Sequence, residues 1–177
     1  TIMDLKDYIR SIKDYPKKGI LFRDITTLIK NETAFEETIN QIVARSKKFK
    51  VDKIAAIESR GFVFASAVSY ILKKPFIMLR KKNKLPADVH SVDFNLEYGT
   101  ATIEVHKDSI SENDSVLIID DLIATGGTAE AAAKLVEVSK GNIAAFIFVI
   151  NLFDLGGCDN LLKKGYKVEN LMDFPGH

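Results

Sequence analysis

One segment constrains this chain more than any other: Val116-Leu-Ile-Ile-Asp120-Asp121-Leu-Ile-Ala124-Thr125-Gly126-Gly127-Thr128, followed by an alanine-rich stretch. The apolar run reads as a buried strand, and the glycine turn before the alanines reads as the opening of a helix. A strand, turn and helix in that order belong to an α/β protein. The N–H groups of residues 125 to 128 have no acceptor at the helix start, and the positive end of the helix dipole adds about 0.3–1 kcal/mol in favour of an anion there. Thr125 and Thr128 add hydroxyl donors, while Gly126 and Gly127 let the backbone approach phosphate oxygens closely. The loop lacks the lysine of a Walker A motif and the spacing of G-x-G-x-x-G, which argues against nucleoside triphosphates and NAD. Asp120 and Asp121 would repel a neighbouring phosphate unless they had partners of their own, and vicinal sugar hydroxyls are suitable donors. The segment therefore predicts a ribose 5-phosphate site.

The rest of the chain predicts the frame around it. Short apolar runs at Lys53 to Ile57, Pro75 to Leu79, Val116 to Ile119 and Ile143 to Ile150 read as strands buried on both faces of a mainly parallel sheet. Leu5, Tyr8, Ile9 and Ile12 recur at helical spacing, as do Phe35, Ile39, Ile42, Val43 and Phe49 behind a Thr33…Glu36 capping box, predicting two amphipathic helices. Two regions break the rhythm, Tyr15 to Asp24 and Arg80 to His106, and both are expected over the sheet edge rather than in it. The second alternates polar and apolar residues over Val92 to Leu96 and Thr100 to His106 around Tyr98-Gly99, which predicts an antiparallel excursion. It follows a basic loop, Arg80-Lys81-Lys82-Asn83-Lys84.

Composition narrows the function classes. A chain of 177 residues, 46% hydrophobic and 28% charged, fits one globular domain, with no repeat or linker to divide it. The 25 Lys+Arg against 24 Asp+Glu leave a net charge of +1, too little for a surface that binds nucleic acid. The longest uncharged run, Gly141 to Phe153, is well short of the roughly 20 residues of a membrane span. Thr1 to Arg10 carries no apolar signal, so a cytoplasmic protein with no membrane partner is expected. Cys158, beside Gly156 and Gly157, reads as a reduced small filler. His90, His106 and His177 have no zinc-type spacing, so no protein-built metal site is expected.

The Asp120-Asp121 segment resembles the phosphoribosyl pyrophosphate (PRPP) motif of the type I phosphoribosyltransferases. Further segments are similar to the adenine phosphoribosyltransferases: Tyr15-Pro-Lys-Lys-Gly-Ile-Leu-Phe22-Arg23-Asp24, Glu58-Ser59-Arg60-Gly61-Phe62, Lys84-Leu-Pro86, Leu96-Glu97-Tyr98-Gly99, Asn151 to Gly157, and Phe174-Pro-Gly-His177. The resemblance implies the type I phosphoribosyltransferase fold: a mainly parallel twisted sheet flanked by helices, in a single domain over 1–177. It also implies a small hood from about 1–30 and the C-terminal segment, and a flexible lid over about 80–106. The implied activity is purine salvage, joining adenine to PRPP to give AMP and pyrophosphate, with Mg²⁺ carried on PRPP.

By the same resemblance, Ala124, Thr125, Gly126, Gly127 and Thr128 hold the 5-phosphate, and Asp120 and Asp121 the ribose hydroxyls. Ser59, Arg60 and Gly61 grip pyrophosphate with Arg80, Lys81 and Lys84, and the Glu58–Ser59 peptide is expected to be cis. Leu21, Phe22 and Arg23 are expected to bind adenine, the ring of Phe22 by stacking and Leu21 and Arg23 through their main chains. Glu97 is the expected acid–base residue, Tyr98 helps close the lid, and Arg60 completes the catalytic set. A homodimer is implied, with Arg80 reaching the neighbouring subunit's site. Asn83 stands where the family carries glycine. The PRPP cradle alone does not choose the base, so transfer to hypoxanthine, guanine, xanthine or orotate stays open, as does a non-enzymatic PRPP-sensing regulator.

Overall fold

The apolar runs pair side by side. A computed structural model describes residues 3–96 and 99–177. Strands β1 (Arg10–Lys13) and β2 (Leu21–Asp24) form a separate antiparallel pair, followed by helices α1 (Thr26–Ile29) and α2 (Glu32–Ser46). Next come β3 (Lys53–Ile57), α3 (Arg60–Leu72), β4 (Phe76–Lys81), β5 (Val89–Asn95) and β6 (Thr100–His106). The chain continues through β7 (Ser115–Ile123), α4 (Gly127–Val138), β8 (Asn142–Leu152), α5 (Gly157–Lys163) and β9 (Val168–Phe174). The seven-stranded sheet has the order β5-β6-β4-β3-β7-β8-β9. Pairs from β4 through β9 are parallel; β6 joins β4 and β5 antiparallel.

Burial on both faces explains why these strands read as continuous apolar runs. Along β3, Ile54 and Ala56 pack on the side of α2 and α3, against Ile42 and Phe64. Ala55 and Ile57 pack on the other side, against Leu135 and Val136 of α4. The chain leaving β3 thus crosses on one face to β4, and the chain leaving β7 crosses on the opposite face to β8. Between the carboxyl ends of these two adjacent strands a crevice must open, the usual ligand position in an open α/β sheet.

Several sequence expectations change. The predicted first helix is a single 3-10 turn over Leu5–Tyr8, closed by Asp4, whose carboxylate accepts from Lys6 N–H at 3.1 Å. Ile12 belongs to β1 and pairs with Phe22, so strand pairing overrides the helical spacing. Asn31, not Thr33, caps α2, its side-chain oxygen accepting from Ala34 N–H at 2.9 Å; Thr33 and Glu36 lie inside the helix, and Phe49 lies beyond it. The 80–106 excursion does not sit over the sheet edge. Its strands extend the sheet, through Arg80↔Glu104 and Lys81↔Ile103. Strand β7 does not stop before its two acids: pairing with β8 runs on to Ile123↔Asn151. Among the described residues, no helix is long and apolar enough to cross a membrane.

Asp24 fastens the β1–β2 pair to the domain. Its buried carboxylate accepts from Thr26 N–H at 2.9 Å and Thr26 Oγ1 at 2.8 Å, and pairs with Arg10, whose Nε lies at 2.9 Å. Burial works against its ionisation, but the Thr26 and Arg10 hydrogen bonds outweigh burial and hold its pKa below the ordinary carboxylate value. A depressed folded-state pKa stabilises the protein above the unfolded value of about 3.9, and that stabilisation is lost as pH falls through the folded value. Asp24→Ala should cost about 1–3 kcal/mol at neutral pH. Urea titrations at pH 7 and at pH 3 check this: the gap between wild type and variant should shrink at the acidic end.

Candidate active site

A cleft of about 820 Å³ occupies the crevice between β3 and β7. Its first wall is the end of β7 and the following loop, from Asp120 to Ala129. Gly126 takes φ +93°, and a Cβ there would come within 3.0 Å of Gly157 Cα. Gly157 is tighter still: its N–H donates to Ala124 C=O at 3.1 Å, and an added Cβ would sit 2.5 Å from that oxygen. Two backbones in contact therefore shape the loop at 124–128. The first turn of α4 directs its N–H groups toward the cleft side, where Thr125 and Thr128 are exposed.

The second wall is the turn from β3 into α3, with Glu58, Ser59 and Arg60. The Glu58–Ser59 peptide is cis, as the resemblance implies. Arg60 opens α3, and its Nε donates to Asp121 Oδ2 at 2.6 Å. Asp121 raises the guanidinium pKa most, burial opposes it, and Asp120 adds to the rise. Asp120 accepts from Asp121 N–H at 2.8 Å, and burial together with the Asp121 charge pushes its pKa well up. Gly61 has a reason beyond ligand approach, because a Cβ there would meet Asp120 Oδ1 at 2.9 Å.

The third wall comes from the basic loop and the β5–β6 hairpin. Lys81, Lys82 and Lys84 line the cleft with Phe94 and Leu96. Glu58 ties this wall to the second, Oε1 accepting from Lys81 N–H at 2.7 Å and Arg80 Nε at 3.3 Å. Asn83 takes φ +67°, the left-handed region that asparagine tolerates best after glycine, which accounts for asparagine at this position.

The predicted residues thus divide. Asp120, Asp121, Ser59, Arg60, Lys81, Lys84 and the 124–128 loop surround one cleft. Gly61 supports it from behind, and the Arg80 side chain is engaged with Glu58. Leu21, Phe22 and Arg23 do not line it; they sit in β2, half-buried. Phe22 meets Tyr15 edge-on at 5.1 Å. Arg23 donates to Ser11 Oγ at 2.6 Å and to Pro175 C=O at 3.0 Å, with its guanidinium 4.6 Å from the Phe174 ring centre. These contacts join the N-terminal strand pair to the C-terminal segment. Glu97 and Tyr98 lie outside the described residues; beside them, Leu96 N–H donates to Gly99 C=O at 2.9 Å. Sequence reasoning passed over Lys82 and Phe94 as lining residues and Gly157 as the loop's support. The basic run and the Gly156-Gly157 pair were the available signals.

A family model described as "Phosphoribosyl transferase domain" matches residues 24–165. An adenine phosphoribosyltransferase of Pelagibacter ubique is 85% identical over 175 residues, 99% of this chain and 100% of that protein. Among solved structures, the adenine phosphoribosyltransferase of Thermoanaerobacter pseudethanolicus superposes with a TM-score of 0.92 at 44% identity, covering 96% of this chain and 98% of that one. The Giardia lamblia enzyme, solved with 9-deazaadenine, gives 0.91 at 33% identity, covering 98% and 99%. The chain belongs to the type I phosphoribosyltransferases and, within them, to the adenine phosphoribosyltransferase family. It is accordingly a glycosyltransferase-type enzyme of purine salvage.

The Gly126–Gly157 contact makes a specific prediction. Gly157→Ala should displace the 124–128 loop and weaken PRPP by about tenfold or more, equivalent to about 1.4 kcal/mol. Gly156→Ala, at φ +85° with no atom within 4 Å of the new Cβ, should cost about 1–2 kcal/mol of stability through backbone strain and leave PRPP affinity near wild type. Calorimetric titration with PRPP and thermal melts of both variants separate the two effects.

Proposed function

We propose that the cleft between β3 and β7 transfers the 5-phosphoribosyl group of PRPP to adenine, releasing pyrophosphate and giving AMP. The observation that carries this reading is the gathering of a glycine loop at a helix start, two adjacent carboxylates and a set of cationic side chains around one cavity. The 5-phosphate is held by Ala124, Thr125, Gly126, Gly127 and Thr128, and the ribose hydroxyls by Asp120 and Asp121, which fixes C1 for attack. Arg60 exchanges Asp121 for pyrophosphate, joined by Ser59, Gly61, Lys81 and Lys84. Pyrophosphate leaves C1 with the bonding electrons, and adenine N9 forms the new bond as its proton is released. Glu97 shares a proton with the base at N7. Phe22 stacks on the purine, a contact worth about 1–3 kcal/mol, while Leu21 and Arg23 read its edge through their main chains.

The segment over about 80–106 acts as a lid, with Tyr98, shielding the glycosyl cation from water. The hood consists of about residues 1–30 and the C-terminal segment, and the Arg23–Pro175 bond supports that division. Carboxylate and hydroxyl oxygens at Asp120, Asp121, Thr125 and Thr128 form the donor type that suits Mg²⁺, and no cluster of three acidic, histidine or cysteine ligands occurs among the described residues. That donor set fits an ion entering on PRPP, where Mg²⁺ offsets the charge of the pyrophosphate. The exposed apolar side chains Val63, Tyr70 and Ile71 of α3 and Met78 of β4 support a homodimer, in which Arg80 serves the neighbouring site. A cytoplasmic location suits an enzyme of soluble nucleotides.

AMP formation from adenine, PRPP and Mg²⁺ tests the reading, with hypoxanthine, guanine, xanthine and orotate run in parallel. Turnover should occur with adenine alone, and Glu97→Ala should lower kcat by about 10²–10⁴-fold. PRPP binding without turnover of any base would replace the reading with a PRPP sensor. Adenine turnover indifferent to Glu97→Ala would remove that residue from the mechanism.

A further inference from the structure

Glu104 is a buried carboxylate that the proposed mechanism does not use. It lies on β6 where three strands meet, opposite Arg80 of β4 and Ser91 of β5. Its neighbours Ile103 and Val105 point into the core on the α4 side, so the alternation of β6 turns Glu104 to the opposite face. Thr102 and Ile103 line the cleft, and Glu104 does not. A carboxylate withdrawn from the site would be an odd choice beside a pyrophosphate loop, since its charge opposes the ligand's, unless it holds something in place.

What it holds is the basic loop. Oε1 accepts from Asn83 N–H at 2.9 Å, and Oε2 accepts from Ser91 Oγ at 2.6 Å. Two residues earlier in the loop, the Glu58 carboxylate takes Lys81 N–H at 2.7 Å. At the far end, His106 Nε2, two residues after Glu104 and hence on the same face of β6, accepts from Ala87 N–H at 3.2 Å. The loop is therefore fastened at Lys81, Asn83 and Ala87. The middle fastening falls between Lys82 and Lys84, where the backbone makes its left-handed step at Asn83. Hydrogen bonds to a charged acceptor are the stronger kind, and an N–H held this way fixes the direction of the side chains on either side.

We propose that Glu104 is a positioning residue, which acts through the Asn83 N–H to present Lys82 and Lys84 to the diphosphate of PRPP and of free pyrophosphate. The inference rests on the proposal that this loop binds pyrophosphate, and it adds Lys82 to that set. Misplacement by about 1 Å of groups that orient a substrate can cost up to about a hundredfold, so the effect should be measurable without any loss of fold.

Steady-state kinetics in both directions test it. Glu104→Ala should raise KM for PRPP and, in the reverse reaction, for pyrophosphate by about tenfold or more, leaving KM for adenine and AMP within about twofold. Glu104→Gln keeps one acceptor for Asn83 and should return both constants to within about threefold of wild type. Glu104→Asp keeps the charge but draws it back by one methylene, and should raise the same two constants by about fivefold even if the alanine variant does not fold. Unchanged PRPP and pyrophosphate constants in the aspartate variant would overturn the inference. So would a uniform rise for all four ligands that glutamine does not reverse, because that marks a general structural role. Lys84→Ala separates the two layers of the argument. If it weakens pyrophosphate while the Glu104 variants do not, the positioning role alone fails; if it leaves pyrophosphate untouched, the reading of the loop fails.

Discussion

The parallel pairing of β3 with β7 is the constraint from which the site follows. Ile54 and Ala55 are held beside Leu117 and Ile118, yet the helices that follow the two strands depart to opposite faces of the sheet. Neither crossover covers the seam between the carboxyl ends. Two helix starts are thus brought to the edges of a single gap: α4, with its glycine loop, and α3, with Arg60. A helix N-terminus and a cation arrive together because of strand order, before any ligand imposes a geometry.

Charge in the cleft is paired between its two walls. Arg60 and Asp121 satisfy each other across the crevice, and burial together with the Asp121 charge pushes the pKa of Asp120, backed against α3, well up. Uncompensated, two adjacent carboxylates in this position would repel an arriving polyanion. With Asp121 paired to Arg60, the lysines of the basic loop stand across the cleft from the two acids. Exchange of partners, rather than creation of new charge, then accompanies binding.

Sequence disclosed the centre of this molecule better than its margins, for physical reasons. β3 was readable to the residue over Lys53 to Ile57, because a strand buried on both faces leaves an unbroken apolar run. The loop at 124–128 was readable because glycine is required where φ is positive and where another backbone comes close. β9 went unread, since at the sheet's edge it has one strand neighbour, and Glu169, Asn170 and Asp173 interrupt its apolar residues. The N-terminal turn was misread because Leu5, Tyr8, Ile9 and Ile12 satisfy helical spacing, whereas the chain from Arg10 on, Ile12 included, pairs with a strand about ten residues away and leaves only one 3-10 turn before it. Of the candidate site, the anion loop, the acids and Arg60 were legible. The Glu58 and Glu104 clamps on the basic loop were not, because a carboxylate that binds backbone N–H groups leaves no spacing pattern in the chain.

The Gly126–Gly157 contact has a further implication. The contour of the 124–128 loop is dictated by main chain pressing on main chain, so few side chains there are available for gradual adjustment. Variation in this region has to be all or nothing: a residue larger than glycine displaces the cradle, and a change in the length of the 152–157 segment moves it bodily. The loop is in that sense a frozen part of the enzyme.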